Sequence, residues 1–503
     1  MRSVFTRSNV WLTLCGAVLI LAGCDGAKSE ESRETGAVTA VNKGKVPVTT
    51  NSEEARKLHA EGLKFADQLR PHEARQLFEK AVAKDPNFAM AHYDLAGASP
   101  NAKATTEHLD HAVALSKNAT EGERLTILAF KAINNGDPAK WVDYLKQVTA
   151  AYPEDERAHV NLGVAYFFGQ QDYESARQEL QNAIEIDPNF APAYNMLGYS
   201  YSSLKDYPEA EKAFKKYIEL VPNDPNPYDS YAELLMKTGK FDESVAQYQK
   251  ALSIDPHFTG SHFGIAANLL YQGRHKQAIA QAEKLEAAAQ TDADRRLALL
   301  TKALVYTDQG KTDAAVNEIQ KRYALAAKVG DTATMSGDAE TIAVILINAG
   351  RPDAAAKRFE EALSLVAKSS RSQEVKDNAA LGHHYNLGLV ALAKKDLASA
   401  KTHAAAYLEG AKAKDNDVQI REAHKLAGKI AKAEKNYDQA IAELAQASQL
   451  DPTVLYATGS AYEGKGDQAK AAEFRRQATE LYTLPTLNHA FVRAKARKAV
   501  AGT

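Results

Sequence analysis

A small residue, glycine or alanine, recurs along this chain at a nearly constant interval. The positions are Gly62, Ala96, Ala129, Gly163, Gly198, Ala232 and Ala266, with successive spacings of 34, 33, 34, 35, 34 and 34 residues. Strand signals, meaning β-branched residues alternating between turn residues, are nearly absent, and the abundant alanine, leucine, lysine and glutamate favour helix. The period therefore predicts an all-α fold in which each helix-turn-helix unit stacks on the next.

The segment YNMLGYSYSSLKDYPEAEKAFKKYIELVP, residues 194–222, is the best-preserved copy. Its small residues Gly198 and Ala210 let two helices approach closely, Phe214 fills the seam between them, and Pro222 cannot continue the second helix. The order of large residue, Leu-Gly, aromatic, Ala, aromatic and Pro resembles the tetratricopeptide repeat. That resemblance extends over residues 55–480 and implies an α-solenoid: a right-handed superhelix of stacked antiparallel helix pairs, about twelve units long.

The rhythm changes beyond residue 290, where the small residue moves from Ala303 to Ala343, Gly388, Gly428 and Gly459 in steps of 40, 45, 40 and 31. Steps near 40 predict helices that are longer by about one to two turns. We therefore expect a regular array at 53–290, a longer-period array at 291–482 and a capping helix at 483–503. The basic run RAKARK in that last helix is interpreted as a solvated face, with contact to anionic lipid as the alternative.

Three Asp-Pro pairs stand at unit boundaries: Asp85-Pro86, Asp187-Pro188 and Asp255-Pro256. An Asp side chain can cap a helix start, and Pro is tolerated in the first helical turn. We expect each pair to begin the first helix of a new unit.

The N-terminal region has the order of a secretory signal: Arg2 and Arg7, then an apolar run from Val10 to Leu21, then small residues. The ending Leu-Ala-Gly-Cys24 resembles the bacterial lipobox. The resemblance implies that residues 1–23 are removed, that Cys24 is lipidated and that the protein is anchored to a membrane of the bacterial envelope, facing the periplasm. An ordinary secretory signal is the alternative. Residues 24–52 are too polar to bury much apolar surface and are predicted to be a flexible tether.

Composition and motifs argue against most kinds of chemistry. Net charge is −2, so no excess of either sign favours nucleic acid as a partner. The sequence carries no phosphate-binding GxxxxGK[ST] loop, GxSxG elbow, HExxH, EF-hand loop or GxGxxG following a strand. Cys15 would leave with the signal and Cys24 would become a thioether, so no disulfide or thiolate metal site is expected. We predict no catalytic residue and no cofactor.

Histidine is the residue type that most resembles a metal signal, with 14 in the chain. Five of them occupy the repeat position held elsewhere by Tyr194 and Tyr228, and we interpret them as packing residues: His92, His159, His262, His384 and His424. His108 and His111 share a helix face in EHLDH, but two imidazoles supply only half of the usual zinc ligands. We therefore predict no metal site.

The tetratricopeptide resemblance implies a concave, partner-binding groove lined by the first helix of each unit. Transferring the family's groove positions gives the candidate residues Arg157, Val160, Val164, Phe167, Pro192, Asn195, Tyr199, Ser202, Asn226, Asp229, Glu233, Met236, Phe263 and Leu270. The set is aromatic and apolar with one acidic pair, which suits an extended or helical segment of a partner. It lacks the Lys and Asn residues with which some family members clamp a terminal carboxylate. The alternative is that these side chains pack between units.

The combined sequence features favour a lipid-anchored scaffold of the bacterial envelope that binds protein or peptide partners and is not an enzyme. Two alternatives belong to other classes. One is a small-ligand sensor or substrate-binding subunit, in which the rear repeats enclose a pocket. The other is an enzyme with a site embedded in the array.

Overall fold

The computed structural model describes residues 44–501, with side chains described for residues 44–496. The predicted signal peptide, the lipidated Cys24 and the tether up to residue 43 lie outside the described residues. Within residues 44–501, no helix combines the length and apolarity needed to span a membrane.

The described chain consists of 25 α-helices joined by turns and short loops, and it contains no strand. A 3-10 turn, Ser116–Asn118, and a π-helical segment, Ala165–Gln170, complete the regular structure. The helices are α1 (Glu53–Asp67), α2 (Pro71–Lys84), α3 (Ala89–Gly97), α4 (Ala102–Leu115), α5 (Glu121–Asn134), α6 (Pro138–Ala151), α7 (Glu156–Val164), α8 (Tyr173–Ile186), α9 (Ala191–Ser203), α10 (Tyr207–Leu220), α11 (Pro225–Lys237), α12 (Phe241–Ile254), α13 (Thr259–Tyr271), α14 (His275–Ala288), α15 (Asp292–Asp308), α16 (Thr312–Lys328), α17 (Thr332–Asn348), α18 (Pro352–Lys368), α19 (Gln373–Ala393), α20 (Leu397–Ala413), α21 (Asp417–Ala433), α22 (Tyr437–Gln446), α23 (Pro452–Gly464), α24 (Gln468–Thr479) and α25 (Leu487–Ala501).

The described residues form two compact units, a front unit (44–234) and a rear unit (235–501), with the boundary inside α11. In the front unit, five successive pairs from α1–α2 to α9–α10 pack as helix-turn-helix units. In the rear unit, six pairs from α13–α14 to α23–α24 do the same. With α11 and α12 counted by their order in the chain, the pairs number twelve. The predicted all-α tetratricopeptide solenoid of about twelve units is confirmed.

Helix length changes along the array. Both helices of most pairs up to α14 have 13 to 15 residues, although α3 is cut to nine because Ser99, Pro100 and Asn101 follow it. From α15 to α21 the helices have 17 residues, and α19 has 21. The last pairs are short again, with ten residues in α22. The longer helices therefore begin near residue 290, whereas the boundary between the compact units lies at 234/235.

Acidic caps begin many of the second helices. The carboxylates of Asp137, Asp172 and Asp206 each accept a hydrogen bond from the backbone N–H three residues later. Such a bond satisfies one of the amide groups that a helix start leaves without a partner.

The Asp-Pro pairs have a different role from the predicted one. Asp85 and Asp187 follow the last residue of a second helix, and each accepts a hydrogen bond from the N–H two residues later, at 3.0 and 2.9 Å. The next helix begins four residues after the Asp, with Phe88 or Phe190 at its N-cap position. The pairs therefore shape the turn between units and do not cap the following helix.

Residues 45–51 lie extended across the starts of three front-unit helices, and we call them the N-terminal strap. The Val46 N–H donates at 2.7 Å to Oδ2 of Asp155, which is the N-cap residue of α7. Thr49 donates its N–H and its hydroxyl to Glu123 of α5, at 2.6 and 2.7 Å. The Thr50 hydroxyl reaches Asp85 before α3 at 2.5 Å. This part of the segment predicted as a flexible tether is held against the array.

Candidate functional site

The predicted groove residues of the front unit lie on α7, on its π-helical continuation, and on α9 and α11. Several of them are inside the repeat stack: Val160 and Val164 are fully buried, and Asn195, Ser202 and Asp229 are nearly so. Phe167, Tyr199 and Glu233 are partly accessible. We call these three residues the front wall. Arg157 and Pro192 are also partly accessible, and the front wall comprises the aromatic and acidic members of this accessible group.

Tyr199 connects two consecutive first helices. Its hydroxyl donates to Glu233 Oε1 at 3.1 Å, across 34 residues or one repeat. Its ring packs edge-on against Phe214, with centroids 5.2 Å apart. Burial, together with the charges of Glu233 and Asp229, raises the pKa of the Tyr199 phenol well above its ordinary value. The phenol therefore remains a neutral hydrogen-bond donor beside the carboxylates of Glu233 and Asp229.

Phe167 belongs to a group of aromatic rings at the end of α7. Its ring centroid lies 4.8 Å from that of Phe168 and 5.1 Å from that of Tyr173. These rings are all half-buried, and they sit on or next to the π-helical segment Ala165–Gln170. Single-turn π-helices occur frequently at functional sites, because the wider turn changes where side chains point. The aromatic group thus offers partly accessible apolar surface, unlike the buried candidates Val160 and Val164.

Arg157 is engaged inside the protein. Its guanidinium makes two hydrogen bonds of 2.8 Å to the carboxylate of Asp67, 90 residues earlier, and lies 4.9 Å from the centre of the Phe190 ring. Planar two-point pairing of this kind fixes both partners. Arg157 therefore links α7 to the end of α1 and has little capacity left for a ligand.

The structure shows a buried acidic residue, Asp224, that the predicted groove pattern does not include. Asp224, in the turn before α11, is buried, and burial raises its pKa to about 7 even though it accepts a hydrogen bond from the Asn226 N–H at 2.9 Å. The charge of Arg70 acts to lower this pKa, and the charge of Asp67 acts to raise it. The Asn226 amide in turn donates to the Tyr217 hydroxyl at 2.7 Å. Because Asp224 and Arg70 lie in turns and Tyr217 lies in a second helix, the first-helix pattern carries no signal for these three residues.

The three rear-unit candidates, Met236, Phe263 and Leu270, are buried. Met236 and Phe263 belong to an apolar cluster with Leu484, Leu487 and Phe491. The chain's own C-terminal segment thus covers the surface on which these residues lie.

The histidines at the repeated position act within the repeat. The Nε2 atoms of His92, His159 and His262 each lie 3.1 Å from the carbonyl oxygen of the Pro six residues earlier. His108 and His111 face His92, with ring centroids 6.1 and 5.4 Å away. Over the side chains that the structure describes, no group of three or more His, Cys, Asp or Glu is arranged to hold a metal ion.

Comparisons with known proteins identify the repeats. Family models described as tetratricopeptide repeat match residues 59–106 and 132–191, 167–234, and 226–258. The chain thus contains tetratricopeptide repeats, a repeat that generally mediates protein–protein interactions. No curated protein matches the sequence.

Solved structures with similar chains include a thermophilic tetratricopeptide-repeat protein of Thermus thermophilus, at 22% identity and a TM-score of 0.29, over 43% of this chain and 99% of that chain. A tetratricopeptide-repeat protein of Parabacteroides merdae is 20% identical, with a TM-score of 0.35. This match covers 50% of this chain and 99% of that chain. The Cut9-Hcn1 hetero-tetramer of APC/C is 16% identical, with a TM-score of 0.41. This match covers 84% of this chain and 76% of that chain. At these identities and TM-scores the similarity gives no information about a ligand.

Proposed function

We propose that this protein is a lipid-anchored scaffold of the bacterial cell envelope that binds a protein partner through the front wall and performs no chemistry of its own. The observation that carries the proposal is the alignment of partly accessible Phe167, Tyr199 and Glu233 on first helices of consecutive tetratricopeptide repeats. Arrays of this repeat present an extended binding surface because each unit contributes equivalent positions along the stack.

The chemistry of the front wall indicates the kind of segment that would bind. Phe167 and its neighbouring rings offer apolar area, and aromatic residues supply much of the affinity at protein interfaces. Glu233 and Asp229 place negative charge beside Tyr199. A partner segment with a basic residue next to an apolar one would complement both features.

The membrane anchor in this proposal comes from the sequence alone. The apolar run followed by Leu-Ala-Gly-Cys24 supports lipidation at Cys24, and a diacylated or triacylated cysteine gives stable anchoring because each buried CH₂ contributes about 0.8 kcal/mol. The proposed location is the periplasmic face of the envelope, at either the inner or the outer membrane.

The pocket-forming alternative concerns the longer repeats beyond residue 290. There the chain's own C-terminal segment already occupies part of the surface, because Leu304, Ile342 and Val390 are buried in one cluster with Leu487 and Phe491.

The test is a cross-linking pull-down with the Phe167→Ala/Tyr199→Ala double variant. We expect the recovered partner to fall at least tenfold, while the helical circular dichroism signal of the chain stays near that of the wild type. The matched control is Tyr207→Ala, which removes an aromatic ring from the start of the second helix α10 and should leave recovery unchanged. Full recovery by the folded double variant would show that the partner binds elsewhere.

A further inference from the structure

The segment that contains α25 lies across first helices far away in the sequence. Lys495 is 3.3 Å from Asn348 of α17, and Asn488 donates to Asp451 at the start of α23 at 2.9 Å. Arg493 contacts residues of α13 and α15, which precede it by 185 to 223 residues. A helix that only covered the last pair would contact α23 and α24 alone. α25 does pack on both, through Val492 with Leu455 and Ala478, but it also follows the first-helix surface of the rear unit.

The apolar side chains of this segment fill that surface. Leu484, Leu487 and Phe491 are buried in a cluster with Met236, Phe263 and Leu304 on three earlier first helices. Preceding them, the ring of Tyr482 lies 5.0 Å from Phe241 and 5.2 Å from Tyr271, centre to centre. Leu487 and Phe491 are four residues apart, so both project from the same face of α25.

A single arginine provides the polar anchor. The Arg493 Nε donates to Asp308 Oδ1 at 3.1 Å, and its terminal nitrogen donates to the carbonyls of Leu270 and Tyr271 at 3.0 and 3.1 Å. The Asp308 side chain is fully buried and also pairs with His275 at 2.6 Å. The two carbonyls lie at the C-terminal end of α13, where unpaired carbonyls favour a cation. The interpretation of the basic run RAKARK as a solvated face is therefore wrong for Arg493, its first residue.

These contacts have the form of a helix bound in a groove, with apolar anchors at Leu487 and Phe491 and a charged anchor at Arg493, near the middle of the helix. α25 has no partner helix in a repeat pair, unlike α1 to α24, so it occupies this surface as a single added element. We infer that the first-helix surface of the rear unit, which we call the rear groove, binds an amphipathic helix, and that α25 is its intramolecular occupant. The ligand is a partner helix that carries Leu, Phe and Arg with the spacing of Leu487, Phe491 and Arg493. It displaces α25 because it makes the same contacts with the rear groove.

This inference concerns a different surface from the front wall. The Phe167→Ala/Tyr199→Ala variant leaves the rear groove intact, so failure of the proposed function leaves the inference standing, and the reverse also holds.

The test uses the full chain and a fluorescent peptide of residues 482–501, with binding measured by anisotropy. In the wild type, α25 competes from within the same molecule, so we expect weak binding. In the Phe491→Ala/Arg493→Ala variant the internal helix loses its anchors, and the peptide should bind at least tenfold more tightly. Adding Asp308→Asn should remove most of that gain. A peptide with both anchors changed to Ala should not bind. The matched control is Arg476→Ala, which alters an exposed arginine of α24 paired with Glu480 and should behave as the wild type.

A second measurement on the wild type protects the test against a variant that fails to fold. Amide hydrogen exchange in α25 should be faster than in α13 and α15, because an exchangeable occupant opens without unfolding the repeats beneath it. Equal protection of the three helices would make α25 a permanent part of the core and would overturn the inference. So would a folded anchor variant that leaves the peptide unbound, or a dimer formed by mutual exchange of α25, since the occupant would then be a second copy.

Discussion

At the scale of single residues, one position in the first helix of several repeats carries a hydrogen bond to the preceding turn. The hydroxyls of Tyr194 and Tyr228 donate to the carbonyls of Pro188 and Pro222 at 3.0 Å, six residues earlier. At His92, His159 and His262 an imidazole nitrogen takes the same place, and the second ring nitrogen can meet the second helix, as His159 Nδ1 meets Glu179 at 2.6 Å. The position therefore selects a large ring with a polar tip, which explains the histidines without a metal.

Gly198 is required by a close approach between two helices. A Cβ at this position would lie 2.6 Å from Cε1 of Phe214, which is itself buried. We predict that Gly198→Ala lowers the free energy of unfolding by about 1 to 2 kcal/mol, because the overpacking cost outweighs the gain of ~1 kcal/mol from the better helix propensity of alanine. Urea unfolding followed by circular dichroism measures the change.

A second substitution tests the cause. Phe214→Leu removes the ring that the added methyl group would strike, so Gly198→Ala should cost less in the Phe214→Leu background than in the wild type. The difference between the two costs is the coupling energy of the pair. Equal costs in both backgrounds would mean that the glycine is not needed for this contact.

At the scale of elements, the N-terminal strap depends on one buried carboxylate. Glu123 in the first turn of α5 accepts hydrogen bonds from the N–H and hydroxyl of Thr49 and from the N–H and hydroxyl of Thr120, at 2.6 to 2.8 Å. We predict that Glu123→Ala lowers the free energy of unfolding by roughly 3 kcal/mol, since it breaks charge-assisted bonds and leaves buried N–H groups without an acceptor. Hydrogen exchange of the strap amides should also become faster.

The neighbouring Glu121 supplies the control. It lies in the same first turn of α5, so its replacement by Ala removes the same favourable interaction with the helix dipole, but it pairs only with the half-exposed Arg124. Such surface pairs contribute about 0 to 1 kcal/mol. If both variants lost equal stability, the effect would come from the helix start and not from the strap.

The elements differ in how far the sequence could predict them. Gly198, Ala210 and Phe214 lie in a pattern that repeats, so their helices and the pairing of α9 with α10 follow from the period. The strap has no such pattern: it is held mainly through backbone N–H groups and short polar side chains, and Val46 reaches Asp155 across 109 residues. Its polar composition resembles that of a free tether, because sequence composition does not reveal which distant carboxylates will accept hydrogen bonds.

The front wall was predictable only in part. The period places Tyr199 and Glu233 one repeat apart, and the structure adds a hydrogen bond between them that the groove pattern does not predict. The same positions in other repeats, such as Val160 and Val164, are buried by their neighbours, because groove positions transferred one by one do not account for packing between units. Their assignment as binding residues, like that of the other candidates, stays a prediction.

At the scale of the whole molecule, the same kind of helix-turn-helix repeat forms a different surface in the front unit and in the rear unit. In the front unit, polar contacts such as Arg157 with Asp67 connect distant first helices and leave a limited aromatic and acidic area accessible. In the rear unit, the corresponding surface is covered by α25. Since repeat proteins bury their cores between neighbouring units, first-helix side chains can vary without loss of the fold. In the proposed function, the front wall binds a partner while α25 occupies the first-helix surface of the rear unit.

The last prediction concerns where the whole molecule is held. We expect Cys24→Ser to move the protein out of the membrane fraction, because lipidation at Cys24 would supply the acyl chains that anchor it. Fractionation followed by immunoblotting measures the distribution, and the mass of the mature protein reports the acyl chains directly.

The chain provides its own control in Cys15, which lies inside the segment predicted to be removed. Cys15→Ser should leave the membrane fraction and the mature mass as in the wild type, since residue 15 would be absent from the mature protein. Continued membrane association of Cys24→Ser, without acyl chains in its mass, would assign the anchor to another feature of the chain or to a membrane-bound partner. In the second case the Phe167→Ala/Tyr199→Ala substitutions, combined with Cys24→Ser, should release the protein, because the front wall would then be the remaining attachment.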